Sequence, residues 1–444
     1  MRAPGKSCRK RITILGELAP FPRFLAAPCA KLTAGVGSQM RVLYHHRTQG
    51  EEPESIHIES IVAALRALGH EVRIVGPVDI EHREAAPAAV AAAAPGACKP
   101  SRLVRIKESV PRSVFELLQI AYNAVAWRRL DRAVREFKPD FIYERYALYA
   151  FAGGMVARRH GVPLILECNT PYAQAWAKYY GLHLPRLARW LEGRTLRTAD
   201  HVITVTHAQA KLLQQIGVKP ERLTVSHNAI DPAWFNQERQ HDPALRERLG
   251  LKGLVIGFVG TMNRWQGIPK FAEVIPSVLA RHPDASFLFV GDGEFRQPLE
   301  DLCREAGTLD RVRFVGRQPH QKVPAFVASM DIAVLLDSNA YGSPMKIFEY
   351  WGMGKPVVAP SVVPVLEVMR DRDTGLLIEP GNAAQLADRI VELAEDPALR
   401  ARLGAAGRAC ATSQHTWRNN AEQIMAAHAA LSEVPGDSPV KVRP

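Results

Sequence analysis

A chain of 444 residues that is 47% hydrophobic and 23% charged has the composition of a folded globular protein, which excludes a mostly disordered one. Its length calls for two domains or more, since single cores rarely grow beyond about 250–300 residues. The net charge of +12 puts polyanions and anionic membranes first among candidate partners, but it is unevenly spread: +6 over residues 1–39, +7 over 40–235 and −1 over 236–444, so the C-terminal half is no nucleic-acid platform.

Residues 1–39 start basic (Arg9, Lys10, Arg11), and Glu17, Pro20, Pro22 and Arg23 then interrupt the apolar run that a signal peptide needs. Met40 leads straight into a strand, RVLYHH (41–46), so residues 1–39 are expected to be a disordered leader or a mis-assigned start. A helix over 55–68 and a strand, EVRIV (71–75), follow. Residues 85–98 are an Ala/Pro stretch whose prolines favour a loop. A long helix (about 113–136) precedes strand FIYE (141–144), helix 148–160, strand PLILE (163–167), helix 186–198, strand HVITV (201–205), helix 207–216 and strand RLTVS (222–226). After the polar stretch 236–242 the alternation restarts. Strands are expected at 254–260, 285–291, 312–316, 332–336, 356–359 and 375–379, with helices at 268–281, 295–306, 382–394 and 397–411. A last helix, about 417–431, is long enough to cross back onto the first domain, leaving a disordered tail over 433–444.

Apolar strands alternating with amphipathic helices mark parallel sheets covered on both faces. The expected fold is therefore α/β, with two doubly wound Rossmann-like domains, 40–235 and 236–412, facing across a cleft. The six cysteines form no CxxC pair and no zinc-spaced cluster, which fits free thiols in a reducing, cytoplasmic setting; no metal site is read. No run of 18 apolar residues is present. GxGxxG and Walker A motifs are both absent, which argues against dehydrogenase and P-loop ATPase chemistry.

The segment SPMKIFEYWGMGKPVV (343–358) carries the chemistry. Ser343 is placed to cap a helix, Pro344 suits its first turn and Gly354 its end. Free N–H groups at such a start make an anion site, to which Lys346 adds a full charge; Glu349 is positioned for a ribose diol. The loops GFVGTMNRWQG (257–267) and VGDG (290–293) end neighbouring strands on the same sheet edge. Gly260, Thr261, Gly291 and Gly293 there allow close backbone approach, and Arg264 can grip phosphate.

These segments occur in order with VRFVGR and DTGLLIEPGN, and together they resemble the donor-binding domain of the family 4 retaining glycosyltransferases of GT-B architecture. RVLYHHRTQG, ALGHEVRIVGP, VPLILECNTP, ADHVITVT and LTVSHNAIDPAWF resemble the family's acceptor-side half, so the likeness covers about 40–432. The resemblance implies metal-independent transfer of a sugar from a nucleotide diphosphate sugar, a substrate and not a cofactor, with anomeric configuration retained. It implies that Glu349 binds ribose, that Arg264 and Lys346 neutralise the leaving diphosphate, and that Ser343, Pro344, Met345 and Ile347 line phosphate and sugar. Three positions depart from the family pattern. Tyr341 replaces the first of two paired glutamates. Gln266 stands where a loop lysine is common, with Arg264 as the substitute. Asn169, preceded by Glu167, stands where a histidine is common.

On the acceptor side, Gly50, His57, Glu167 and Asn169 are the candidate contacts, with His45 and His46 beside them. His227, Asn228, Asp231 and Pro232 read as an interdomain turn, and Trp417 as packing for the last helix. The apolar segment 114–127 running into Arg128, Arg129, Arg132 and Arg135, with the aromatic–basic run 176–190, reads either as a core helix with a solvated basic end or as a face for an anionic membrane surface or a polyanionic acceptor. Nucleic acid gains no support, since no recognised binding module is present. The expected activity is glycosyl transfer to a glycan, lipid-linked or small-molecule acceptor, as in polysaccharide biosynthesis, from a cytoplasmic or inner-face peripheral position. Two other readings stand: a sugar-nucleotide epimerase or hydrolase of the same fold, and a non-catalytic GT-B scaffold subunit.

Overall fold

The structure, a computed structural model, describes residues 38–48, 52–78, 111–173 and 181–433. Residues 1–37 of the expected leader, Gly50, the Ala/Pro stretch, residues 176–180 and the tail beyond 433 lie outside the described residues.

Twelve strands build two sheets. Strands β1 (Arg41–His45), β2 (Glu71–Val75), β3 (Phe141–Arg145), β4 (Leu164–Cys168), β5 (His201–Thr204) and β6 (Leu223–Val225) pair in the order β2-β1-β3-β4-β5-β6. Strands β7 (Val255–Val259), β8 (Ser286–Val290), β9 (Val312–Phe314), β10 (Ile332–Val334), β11 (Val357–Pro360) and β12 (Leu376–Ile378) pair as β12-β11-β10-β7-β8-β9. All of these pairings are parallel. Every residue of LILEC in β4, VIGFV in β7 and SFLFV in β8 is buried, which is why these strands read as continuous apolar runs without alternation.

The helices are α1 (Glu52–Ala67), α2 (Arg112–Phe137), α3 (Ala152–His160), α4 (Pro185–Thr198) and α5 (His207–Gln215) in the first half. In the second half they are α6 (Phe271–Arg281), α7 (Arg296–Glu305), α8 (Met345–Gly352), α9 (Ala383–Glu395) and α10 (Pro397–Gln414), and α11 (Trp417–Glu433) ends the described chain. The expected pair of doubly wound Rossmann-like domains is therefore present. Helix 148–160 starts later than expected, at Ala152. Tyr149 takes a positive φ of 62°, and Asn123 Oδ1 accepts the N–H groups of Phe151 and Ala152, so the helical hydrogen-bond ladder begins only there. The polar stretch at 236–242 also contains a helical turn, Gln237–Gln240, capped by the Asn236 side chain.

Packing explains the position of the last helix. Trp417, Ala421, Ile424 and Ala427 recur at helical spacing and pack with Val42, Ile58 and Ile165 of the first half. Helix α10 instead packs on α8 of the second half. The chain changes halves at one point, where Ile230 N–H donates to the His415 carbonyl (2.9 Å) and Trp417 N–H to the Ile230 carbonyl (3.3 Å).

Each sheet has one topological switch point, β1/β3 in the first and β7/β10 in the second, and open α/β sheets bind ligands beyond the strand ends at such points. Helix α11 contributes an apolar face to the first core, so Ile424→Ala is expected to destabilise the protein by about 2–5 kcal/mol in urea unfolding, the usual range for a buried Ile truncation.

Candidate active site

At the second switch point three glycines allow two strand-end loops and one side chain to converge. Gly260, at the end of β7, has φ 141°, and a Cβ there would overlap the Cε of Lys346. A Cβ on Gly291 would overlap the Gly260 carbonyl oxygen, and one on Gly293 the Met262 carbonyl. The loops are tied by hydrogen bonds from Gly260 N–H to Val290 O (2.9 Å), Met262 N–H to Asp292 O (2.9 Å) and Phe295 N–H to Met262 O (3.0 Å).

Helix α8 stands over these loops. Its buried Tyr350 hydroxyl accepts the N–H of Val259, the last residue of β7 (2.8 Å), and Ile347 and Phe348 are buried beneath it. Two expectations are corrected here. Ser343 does not cap the helix, because its Oγ accepts the N–H of Asn228 from the interdomain segment (3.1 Å). Pro344 is the residue flanking the helix and not part of its first turn, which opens at Met345. The preceding loop is held by Asn339 Oδ1, which accepts the Tyr341 and Gly342 N–H groups, and by Thr206 Oγ1, which donates to the Tyr341 carbonyl (2.7 Å). Met345 packs against the first-half core, so the helix start lies on the boundary between the halves.

The Lys346 stem passes over Gly260, and its ammonium lies 5.7 Å from the Phe258 ring centroid and 5.9 Å from that of Trp265. Gln266, buried between them, presents its carboxamide oxygen to Lys346 Nζ at 2.5 Å and its nitrogen to the Thr261 carbonyl. Chemistry dictates that orientation, because an ammonium only donates and a carbonyl only accepts. Burial lowers the Lys346 pKa to about 8, with Glu349 pulling the other way, and raises that of Glu349 to about 7 against the pull of Lys346. Arg264 lies outside this contact, exposed at the loop rim with its guanidinium stacked over Phe295 (5.0 Å). Thr261 is exposed beside it.

On the acceptor side the structure brings His57, Glu167 and Asn169 together. Glu167 Oε1 meets His57 Nε2 (3.2 Å), Arg145 Nη1 (3.1 Å) and Asn169 Nδ2 (2.5 Å), and Tyr44 donates to Oε2 (3.4 Å). Burial alone would raise the Glu167 pKa, but His57 and Arg145 outweigh it and hold the carboxylate ionised. Burial lowers the His57 pKa to about 4, and its ring packs edge-on to Trp417 (4.8 Å). Glu167 and His57 are thus buried in a closed network, whereas Asn169 is half-exposed. Gly50 lies outside the described residues. At the β1/β3 switch, His45 Nδ1 approaches the buried Glu144 carboxylate (3.3 Å), and a Cβ on Gly153 would overlap that carboxylate. His46 fills the space left by Gly76. His227 and Asn228 are structural here: His227 Nδ1 bonds the Val205 carbonyl (3.0 Å), and Asp231 Oδ1 accepts the Ala233 N–H in the expected Asx turn (2.8 Å). Sequence reasoning missed Arg145 and the Lys346–Gln266 contact; both join segments far apart in the chain, so no local pattern announces them.

Two family models match, "Glycosyl transferases group 1" over residues 243–409 and "Glycosyltransferase Family 4" over residues 55–234, and together they span most of the chain. The chain belongs to the family 4 glycosyltransferases. It is 28% identical to an alpha-D-kanosaminyltransferase of Streptomyces kanamyceticus, over 57% of this chain and 67% of that one. It is also 28% identical to a D-inositol 3-phosphate glycosyltransferase of Acidothermus cellulolyticus, over 73% and 75%. Its fold resembles that of Anabaena HepE in complex with UDP (TM-score 0.63, 17% identity, covering 88% of this chain and 100% of that one). Sucrose-phosphate synthase of Thermosynechococcus elongatus is similar to the same degree (TM-score 0.65, 19% identity, 89% and 99%). These two structures place the fold among GT-B glycosyltransferases.

The paired groups on α8 set a pH window. Lys346 can hold an anion only when protonated and Glu349 can accept from a diol only when ionised, so affinity of this pair for a nucleoside diphosphate is expected to peak between pH 7 and pH 8. It should fall about tenfold per unit above that range, with one proton taken up on binding there, in calorimetry across buffers of different ionisation enthalpy.

Proposed function

We propose that this protein is a retaining glycosyltransferase that moves a sugar from a nucleotide diphosphate sugar to a glycan, lipid-linked or small-molecule acceptor. The observation that carries the reading is the Lys346 ammonium held at the glycine-lined β7/β10 switch point, beside Glu349 on the same helix start. As the bond from the anomeric carbon to the diphosphate oxygen breaks, negative charge grows on the diphosphate. Lys346, with Arg264 at the rim, stabilises that charge electrostatically, so the proposed reaction needs no metal. Glu349 accepts from the ribose hydroxyls, and Gly260, Thr261, Gly291, Gly293, Pro344 and Ile347 shape the cradle. On the other side, Asn169 meets the acceptor, while Glu167, fixed by His57 and Arg145, orients it.

Lys346→Ala or Glu349→Ala is expected to abolish binding of UDP, GDP, ADP and dTDP by calorimetry while leaving the unfolding transition intact. Unchanged binding would overturn the site. NMR of the product's anomeric proton tests retention, and nucleotide-sugar turnover that needs no acceptor would favour the epimerase or hydrolase reading. Intact glycines, Lys346 and Glu349 argue against a non-catalytic scaffold.

Helix α2 supports an anionic membrane surface as the place where acceptor is met. Val114, Leu118, Ala121, Val125, Arg128, Arg132 and Arg135, spaced four and three apart, form one exposed stripe that is apolar first and cationic after. Arg73, Arg128, Arg129 and Arg132 line an open groove of about 530 Å³ beside it, and exposed Trp190 and Leu187 lie on α4, whose start is tied to Glu116 of α2. No helix among the described residues is long and apolar enough to cross a membrane, so contact would be peripheral, on the cytoplasmic face. The full chain should co-sediment with vesicles containing 30% phosphatidylglycerol and not with phosphatidylcholine alone. Leu117→Ser/Leu118→Ser and Arg128→Glu/Arg132→Glu should each abolish that binding, and co-sedimentation unchanged in both would exclude this face.

A further inference from the structure

We infer that Gln266 is a positioning residue whose buried carboxamide holds the Lys346 ammonium over the proposed diphosphate site. The inference rests on the glycosyltransferase reading above and specifies how this chain assembles that site.

Three observations converge on it. The side-chain ends of residues 266 and 346 meet within one hydrogen bond (2.5 Å) although 80 positions separate them, so a charge borne by either one occupies nearly the same place. Gly260 leaves no Cβ in the path of the Lys346 stem, so the route from α8 into the 260–267 loop depends on that glycine. Finally, Gln266 is almost fully buried and anchored at its other end on the Thr261 carbonyl, so its oxygen is fixed and does not roam as a surface amide would. A glutamine suits this place because it supplies an acceptor to the ammonium without a competing charge. A second lysine would set two ammonium groups at hydrogen-bond distance in a half-buried site. Glu349 is the other titratable group facing Lys346, three residues along α8, and the uncharged Phe258 and Trp265 rings lie 5.7 and 5.9 Å from its ammonium. Arg264, stacked on Phe295, does not occupy the position.

The test is second-site rescue, read as the affinity of the full chain for UDP by calorimetry. Lys346→Gln should weaken binding on the order of 10²-fold, as expected for loss of a charged hydrogen-bond donor. The double variant Lys346→Gln/Gln266→Lys, which exchanges the two side chains, should regain most of that loss, whereas Lys346→Gln/Thr261→Lys, with the same charge on the loop surface, should not. Gln266→Leu alone should weaken binding about 3- to 10-fold and move the alkaline limb of the pH profile, which a purely structural defect would not do. If the wild-type chain binds UDP and the exchanged pair binds no better than Lys346→Gln while unfolding normally, the inference is wrong and the donor site stands. If the wild-type chain binds none of UDP, GDP, ADP or dTDP, the donor assignment fails and this inference fails with it.

Discussion

The arrangement of the donor half depends on one steric fact, the missing Cβ at Gly260. The space it leaves is filled by the stem of Lys346, and the Gly260 carbonyl in turn occupies the space left by Gly291. Two strand ends, one helix and one cation are thereby locked in van der Waals contact. The same closeness takes the ammonium and the Glu349 carboxyl out of water, which moves their pKa values towards neutrality. A site built this way keeps its charge in reserve. An anion brought to Lys346 would offset the solvation that burial removed, so binding there and protonation would be coupled through the packing itself.

The donor helix is also held from across the boundary. Asn228 occupies the Ser343 hydroxyl, Thr206 the Tyr341 carbonyl, and Met345 reaches the first-half core, while Glu367 accepts the N–H groups that open α5. These contacts lie between the β5 and β6 ends of the first half and the loops before α8 and after β11 of the second. A change in the angle between the halves would have to break or stretch them, and two of them hold the loop that leads into α8. The loss of Ser343 as a helix cap is therefore informative. A hydroxyl that could satisfy its own helix is used to connect the halves instead, and the helix tolerates this because Met345 N–H donates to the Ser343 carbonyl (3.0 Å) and Ile347 N–H to the Pro344 carbonyl (3.0 Å).

Much of this was legible in the sequence, for reasons that can be named. Strands such as VIGFV and SFLFV are apolar throughout because both faces are covered, so fold class follows from the alternation of such runs with amphipathic stretches. The helix of Lys346 and Glu349 was marked by Pro344 before it and by Gly354, with φ 66°, after it. What was not legible was which polar groups spend their hydrogen bonds on one another. His57 and Glu167 were read as acceptor contacts from their place near strand ends, yet the buried Arg145 that joins them follows FIYE with no mark of its own. Gln266 looked like a loss at a lysine position, and only the approach of α8 shows what faces it.

The distribution of charge acquires a physical reading from this geometry. A net charge of −1 over residues 236–444 is compatible with the proposed diphosphate site, because a single lysine in a half-buried place interacts through a lower effective dielectric than many exposed ones. Screening over about 8–10 Å at physiological salt erases what a distant surface excess would add to that site. The excess of +7 over residues 40–235 lies apart from that lysine, and four of its arginines, Arg73, Arg128, Arg129 and Arg132, line one open groove. The guanidinium groups here are partly paired within the protein, Arg73 with Glu136 (3.4 Å) and Arg135 with Asp131 (2.5 Å), and an anionic surface broad enough to meet several at once would offset the repulsion that remains. A nucleotide meets one buried cation; an extended polyanion or a lipid surface meets a row of exposed ones. The two halves thus separate two kinds of electrostatics, one local and pH-sensitive, the other extended and salt-sensitive.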